Sequence, residues 1–414
     1  MIGRGMQIGV LLMLAACGGG SSGSSAQPSN PQPGSPPSGG PAFVTSTVAT
    51  FNSPWAMAFL PGSNLALVTE KPGRIWLVNI ANGTKQSVTG APSVVLSSQG
   101  GLLDIKTAPD FATSRLVYVT YSEPSANGGS SLALARGQLS ADGTQLTGLQ
   151  RLWHDPAGGS GGQFGAIIAF APDGNSLFLS SGERQRFTPA QDPNQPLGKI
   201  LHLTLDGKPA PGNPMAAQTG AATVTITDPP ANTEDAKTAS GRSFTWPGLN
   251  LTPSETWSSG HRNPYGLTFD VQGRLWETEM GPRGGDELNL ILPGKNYGWP
   301  NVSEGENYDG VPIPKPATQP QYERAKLFWV PSVSPTSLLI YSGSLFPQWQ
   351  GNGFIGALSG QALIRVTFNG DTAQKAEQWD MGHRIRWVGQ GPDGAIYLLE
   401  DEDGARLLRL TPPK

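Results

Sequence analysis

One phrase recurs six times along this chain and limits what it can fold into. An apolar stretch runs into a Pro/Asp/Gly turn, and a second short apolar stretch leaves it. Phe59-Leu60-Pro61-Gly62 stands before Leu65-Ala66-Leu67-Val68, and Ala108-Pro109-Asp110-Phe111 before Leu116-Val117-Tyr118-Val119. Ala171-Pro172-Asp173-Gly174, Asp270-Val271-Gln272-Gly273, Leu345-Phe346-Pro347 and Gly391-Pro392-Asp393-Gly394 introduce four more such pairs. Pro fixes φ and Asp and Gly tolerate turn conformations, so each phrase reads as a hairpin. The turns centre near 61, 109, 172, 271, 347 and 392, about 66 residues apart on average. That interval exceeds the usual propeller repeat and suits a four-stranded blade with long loops. A pair of β-sandwiches is the other all-β solution, but six returns of one phrase favour radial repetition. The expected fold is a six-bladed β-propeller of antiparallel four-stranded blades over residues 43–414.

Composition agrees. With 55 Gly and 38 Pro in 414 residues, long helices have little room, which removes coiled coils and helical bundles. Apolar residues make up 37% and there are 11 Trp, enough to fill a core. The Trp are expected to pack between blades. A net charge of −3 supplies no field that would attract nucleic acid. The longest interval between turns contains residues 209–255, a polar stretch with little periodicity, read as an insertion on one face rather than a seventh blade.

The single cysteine, Cys17, excludes a disulfide framework and any Cys-rich metal site. Arg4 precedes an apolar run, Ile8 to Ala16, too short to span a bilayer but suited to an export signal. Leu14-Ala15-Ala16-Cys17 resembles a bacterial lipobox, in which cleavage leaves Cys17 as the lipid-bearing first residue. An ordinary signal peptide with an incidental Cys is the alternative. Residues 1–16 are then the signal peptide and 17–42 a lipidated Cys with a Gly/Ser/Pro tether that cannot bury enough surface to fold. The expected location is the periplasmic side of a bacterial membrane, held by lipid alone, the outer membrane if the source is Gram-negative.

Unusual residues are densest from Trp257 to Pro300. Arg262 and Asn263 in Gly260-His261-Arg262-Asn263-Pro264 offer a planar cationic fork and an amide, suited to a carboxylate-bearing or quinone ligand. Turn carbonyls in Gly281-Pro282-Arg283-Gly284-Gly285, with Asp286 and Glu287, suit a hard cation such as calcium, although acidic turns are also commonly just solvated. His154, His202 and His383 are read as bridging strands or facing solvent, since no two have metal-ligand spacing.

These segments resemble the soluble quinoprotein glucose/sorbosone dehydrogenases, and among them the bacterial aldose sugar dehydrogenases, which are six-bladed propellers. The resemblance spans residues 43–414. It is carried by Asn52-Ser53-Pro54-Trp55, Gln99-Gly100-Gly101-Leu102-Leu103-Asp104, Leu197-Gly198-Lys199-Ile200, the GHRNP run, GPRGGDELNLILPGKNYGWP, Phe346-Pro347-Gln348-Trp349 and Arg384-Ile385-Arg386. It implies pyrroloquinoline quinone (PQQ) and calcium as cofactors, and an aldose oxidised at its anomeric carbon to a lactone, with an electron acceptor the sequence does not name. It also implies that Gln99, Arg262 and Asn263 contact the quinone, with Arg384 and Arg386 reaching its carboxylates. One calcium would rest on the main-chain oxygens of Gly281 and Pro282. A second, structural calcium would use the Glu287 side chain and the Tyr297 carbonyl.

At the catalytic segment this chain departs from the pattern. The family's His-x-Gly-Gly-Arg reads Gln163-Phe164-Gly165-Ala166-Ile167 here, so Gln163 replaces the catalytic His and Ile167 the Arg. The partner Asp matches Glu183, and the cofactor-contacting Lys falls near Ser359. An amide cannot accept a proton near neutral pH. Either Glu183, one methylene longer than Asp, takes the proton itself, or the propeller is calcium-stabilised and binds a sugar or other ligand without turnover. A metal-dependent lactonase is a third reading, less favoured because the motifs are the quinoprotein's.

Overall fold

The computed structural model describes residues 42–126, 128–227 and 241–413. The expectations for residues 1–41, Cys17 included, lie outside them. No helix among the described residues is long and apolar enough to cross a membrane.

Six antiparallel four-stranded sheets form a six-bladed β-propeller. The first blade is Pro54–Phe59, Leu65–Glu70, Arg74–Asn79 and Lys85–Val88. The second is Leu102–Thr107, Leu116–Pro124, Ser130–Leu139 and Leu146–His154. Gly165–Phe170, Ser176–Ser181, Lys199–Thr204 and Thr256–Ser259 make the third, and Pro264–Phe269, Leu275–Glu279, Asp286–Ile291 and Leu327–Trp329 the fourth. The fifth is Pro335–Ile340, Gly353–Ala357, Ala362–Asn369 and Thr372–Asp380. The sixth joins Ile385–Gln390, Ile396–Glu400 and Asp403–Thr411 to the N-terminal strand Val44–Asn52.

That last pairing closes the ring. Val44–Asn52 lies antiparallel to Asp403–Thr411, from Val44 opposite Thr411 to Asn52 opposite Asp403. First strands of successive blades touch around the axis, and the sixth touches the first. Val44–Asn52 is the outermost strand of the sixth blade, and closure packs that blade against the first, so neither presents an open apolar face.

All six turns read from the sequence join the first and second strands of a blade. Their chemistry is local. Asp173 caps its turn by accepting from Asn175 N at 3.0 Å, and Gly174 takes the left-handed φ of +72° that closes it. Each first strand runs from one end of the propeller to that turn, so the six turns share one end. The residues preceding the first strands share the other, and the site forms there. Seven of the eleven Trp are buried, six of them in the core of the blades and the seventh, Trp299, in a separate cluster with Phe187 and Ile313.

The 209–255 stretch contributes a two-stranded ribbon, Thr223–Thr227 with Gly241–Thr245, and a helical turn, Thr252–Glu255. It is no seventh blade. Val224 and Ile226 pack on Ala157, next to the 158–162 loop that leads to Gln163.

Candidate active site

At the end where the first strands begin, a mouth of about 730 Å³ opens between blades. Gln99, Gln163, Arg262, Asn263, Gly281, Pro282 and Ser359 line it together, although they come from the loops of four different blades. Further lining comes from Arg283 and from Glu304, Glu306, Tyr308 and Lys315, on the long connection between the last two strands of the fourth blade.

Arg262 is fixed from several sides. Its Nη1 donates to the carbonyls of Met280 (3.0 Å) and Gly281 (2.6 Å), and Nη2 to Tyr308 Oη at 3.3 Å. The guanidinium lies 5.2 Å from the centre of the Trp299 ring, so this Trp supports the site rather than a blade interface. Asn263 Oδ1 accepts from Gly165 N at 3.3 Å, which ties the third blade to the fourth. Gln99 Oε1 accepts from Gln163 N (2.9 Å) and Tyr265 Oη (2.8 Å).

Gln163 bridges charge. Its amide nitrogen donates to Glu183, and its oxygen accepts from Arg262 Nη2 at 2.9 Å. Glu183 does not line the mouth; it lies behind Gln163, 1% exposed. Its Oε2 accepts from the backbone N–H groups of Arg186 and Phe187, both at 2.5 Å. Burial raises the Glu183 pKa, opposed by Arg262 and by those backbone N–H groups. Gln163, Arg184, Gln185 and Phe187 all have φ between +54° and +61°, a local cluster of strained backbone beside this pocket.

Arg384 and Arg386 lie elsewhere. Both pair with Asp401, Arg384 at 3.0 Å and Arg386 at 2.8 Å. Burial alone would raise the Asp401 pKa, but Arg386 and Arg384 hold it below the usual carboxylate range. Arg386 lines a separate axial cavity of about 170 Å³ and stacks 5.8 Å from the Tyr265 ring, whose hydroxyl holds Gln99. One aromatic ring thus separates Arg386 from the mouth.

The acidic positions converge more than their spacing foretold. Glu277, Glu279 and Glu287 all accept from Asn289 Nδ2, at 3.1, 3.2 and 3.1 Å. One NH₂ group has two protons, so it cannot satisfy three carboxylates. Glu277 Oε1 and Asn289 Oδ1 are buried without a partner. Burial, and then the neighbouring Glu279, push the Glu277 and Glu287 carboxyls well above their ordinary range. His261 Nδ1 donates to Glu279 Oε1 (3.1 Å), and the Tyr297 ring stacks on His261 at 4.7 Å. The other histidines are structural: His202 bonds Asn213 (2.6 Å) and Ser176 (2.9 Å), His154 bonds Glu123 and His383 bonds Glu402.

The sequence matches the description Glucose / Sorbosone dehydrogenase over residues 51–227 and 233–409. The chain belongs to the glucose/sorbosone dehydrogenase family. It is 34% identical to the aldose sugar dehydrogenase YliI of Escherichia coli (strain K12) over 365 residues, 87% of this chain and 90% of the relative. The crystal structure of the soluble aldose sugar dehydrogenase from Escherichia coli in its apo-form superposes with a TM-score of 0.77 at 32% identity, covering 90% of this chain and 100% of that one. The PQQ-bound aldose sugar dehydrogenase of Streptomyces coelicolor gives 0.65 at 27% identity, covering 90% and 99%. In this member of the family, position 163 carries an amide at the mouth, and four mouth residues, Glu304, Glu306, Tyr308 and Lys315, come from a loop with no motif of its own.

Proposed function

We propose that this chain is a PQQ- and calcium-dependent dehydrogenase that oxidises an aldose at its anomeric carbon to the lactone. The observation that carries the reading is the mouth itself. Gln99, Arg262 and Asn263 converge there with Arg283 and Lys315, three cations and two amides around a cavity of cofactor size. A planar tricarboxylate suits that donor set. When bound, the quinone supplies a two-electron acceptor for the sugar carbon.

The chain's own residues bind and orient. Arg262 is braced by Trp299 and Tyr308 to present its fork, and Asn263 and Gln99 present amides beside it. Arg384 and Arg386 pair with Asp401 outside the mouth, so the quinone contacts expected of them are not part of this reading; Arg386 serves the mouth by buttressing Tyr265 under Gln99. Gln163 is assigned to the sugar side of the mouth, which it lines, with Glu183 as its anchor behind it.

For calcium, the two expected sites differ in fit. The orphaned Glu277 Oε1 and Asn289 Oδ1 beside Glu287 are oxygen donors awaiting a hard cation, which supports the structural ion. At the mouth, Gly281 O already receives Arg262 Nη1 at 2.6 Å, so an ion on Gly281 and Pro282 shares that carbonyl with the guanidinium.

A second reading is a propeller that binds a sugar or other ligand without turnover. One observation favours it: the family's base position holds an amide whose carboxylate partner is sealed behind it. Titrating purified apoprotein with PQQ and calcium, then adding a panel of aldoses, separates the two. Quinone binding with reduction supports the dehydrogenase, and binding without reduction supports the second reading. We further propose a lipid anchor at Cys17, which places the domain on the periplasmic side of a membrane.

A further inference from the structure

We propose that a pocket on the flank of the propeller, between the second and third blades, binds a pyranose sugar as a site separate from the mouth. The pocket has a volume of about 390 Å³ and shares no lining residue with the mouth. That size falls within the roughly 300–1,000 Å³ of small-molecule sites. Trp153 and His154, at the end of the second blade's outer strand, line it together with Lys208 and Glu255 of the third blade's connections. Trp246, Pro247 and Leu249, which follow the Gly241–Thr245 strand of the inserted ribbon, complete it.

The walls are held by the chain itself. Trp246 N donates to Ala222 O at 2.9 Å. Asn250 Nδ2 donates to the carbonyls of Asn194 (2.8 Å) and Ala221 (3.0 Å), and its Oδ1 accepts from Thr252 N at 3.1 Å. The 246–252 segment is thereby pinned at both ends. A Cβ on Gly207 would come within 2.6 Å of Leu152 O, so the Gly207–Lys208 turn lies directly on the second blade's outer strand. Trp153 Nε1 donates to Glu255 Oε2 at 3.0 Å, which fixes two lining side chains across the blade boundary.

The chemistry of the lining selects the ligand. A pyranose presents a ring face of C–H groups and an edge of hydroxyls that both donate and accept. Trp153, Trp246 and Pro247 supply flat apolar surface for the face, and Leu249, 77% exposed, extends that wall. For the edge, Glu255 Oε1 has no protein partner among the described residues, and Lys208 is exposed beside it in the lining. His154 uses Nδ1 on Glu123 Oε1 at 2.6 Å and keeps Nε2. Lys208 disfavours an organic cation and Glu255 disfavours an anion, whereas a neutral polyol can use both. Burial raises the Glu255 carboxyl to about 7, so near neutrality it donates as well as accepts.

The experiment uses the full chain with calcium and methyl β-D-glucopyranoside, which has no free anomeric hydroxyl and so cannot be oxidised to a lactone. Binding is read by calorimetric titration, first without PQQ, so the inference stands or falls apart from the quinone-dependent reading. Wild type should bind one glucoside with a Kd on the order of 1 mM or tighter. Trp246→Ala should weaken it about tenfold or more, and Lys208→Ala, at an exposed position that leaves the fold alone, about threefold. Both variants should keep wild-type PQQ affinity and aldose oxidation, and Arg262→Ala should keep glucoside binding. No glucoside binding by wild type overturns the inference and leaves the dehydrogenase reading standing. Binding that survives Trp246→Ala and Lys208→Ala but is lost in Arg262→Ala also overturns it, because the sugar is then in the mouth.

Discussion

The Gln163 side-chain oxygen accepts a hydrogen bond from Arg262 Nη2 at 2.9 Å, while its nitrogen faces the buried Glu183. A neutral side chain thus joins an anion and a cation across two blades, and it holds a place from which an imidazole could take a proton. Replacing it with His would set one ring nitrogen against Glu183 and turn the other to the mouth. Gln163→His should therefore raise the rate of quinone reduction by aldose by about 10²-fold or more, measured in single turnover. Glu183→Gln alone should change that rate by less than tenfold, since the carboxylate has no access to sugar and base catalysis would be worth about 10²–10⁴-fold. No gain in Gln163→His would show that position 163 lies outside reach of the reacting hydroxyl.

The Glu277, Glu279 and Glu287 cluster leads to a calcium prediction. An ion that binds only the folded protein at 100 times its Kd adds about 2.7 kcal/mol of stability. Chelation should accordingly lower the melting temperature by several degrees, read by calorimetry with and without chelator. Glu277→Gln removes one buried carboxylate, so it should shrink the calcium-dependent part and stabilise the calcium-free protein. Equal melting curves in the two conditions would exclude an ion here.

Much of the fold is legible in the sequence because its signals are local. Each Pro/Asp/Gly turn carries its own chemistry, as Asp173 with Asn175 and Gly174 shows, so all six identify a first hairpin. Ring closure is not local. Nothing near Val44 announces that its partner is Thr411, 367 positions away in the chain. The site divides in the same way. Arg262 and Asn263 are adjacent and their motif is distinctive, but the Asp401 that engages Arg384 and Arg386 stands 15 residues beyond Arg386 with no motif of its own. Glu304 is likewise silent, because only the long loop of the fourth blade, folded back on the 281–285 turn, brings it to the mouth.

Glu255 provides a pH test remote from the mouth. It is 8% exposed and accepts a hydrogen bond from Trp153 Nε1 at 3.0 Å. Burial raises its pKa to about 7, against smaller opposing effects from Trp153 and Lys208. The folded state therefore keeps a proton that the unfolded chain releases near its ordinary value. The stabilisation is complete below the unfolded pKa and is lost as pH rises toward 7, with a total of about 3 kcal/mol. Glu255→Gln keeps the acceptor for Trp153 without the charge. Its stability, followed by denaturant unfolding from pH 5 to 8, should lack this loss and exceed wild type at pH 8.

The lipid anchor is tested at its one cysteine. The mature protein should partition with membranes, and Cys17→Ser should release it or block its processing. A Cys17→Ser protein that still partitions with membranes would sink the proposal, because a diacylglyceryl or triacylated Cys is what provides enough acyl chain for stable attachment.

Two buried arginines hold the approach to Gln163. Residues 158–162 read Gly-Gly-Ser-Gly-Gly, a composition that behaves as flexible linker when nothing pins it. Arg184 donates to the carbonyls of Gly161 (2.9 Å), Gly162 (3.1 Å), Gly159 (3.2 Å) and Ser130 (3.1 Å), and lies 3.8 Å over the Phe164 ring. Arg186 reaches Gly158 (2.9 Å) and Ser160 (3.0 Å). A planar fork can serve several carbonyls at once, whereas an ammonium on a flexible stem cannot. Arg184→Lys keeps the charge but leaves buried carbonyls unpaired, each costing about 1–3 kcal/mol. The expected result is a lower melting temperature with faster amide hydrogen exchange confined to the 158–163 segment. Gln163 N should then lose its hold on Gln99, at 2.9 Å in the intact protein, and PQQ affinity should fall with it. Unchanged exchange across that segment in Arg184→Lys would show that the loop is ordered by its neighbours and not by the guanidinium.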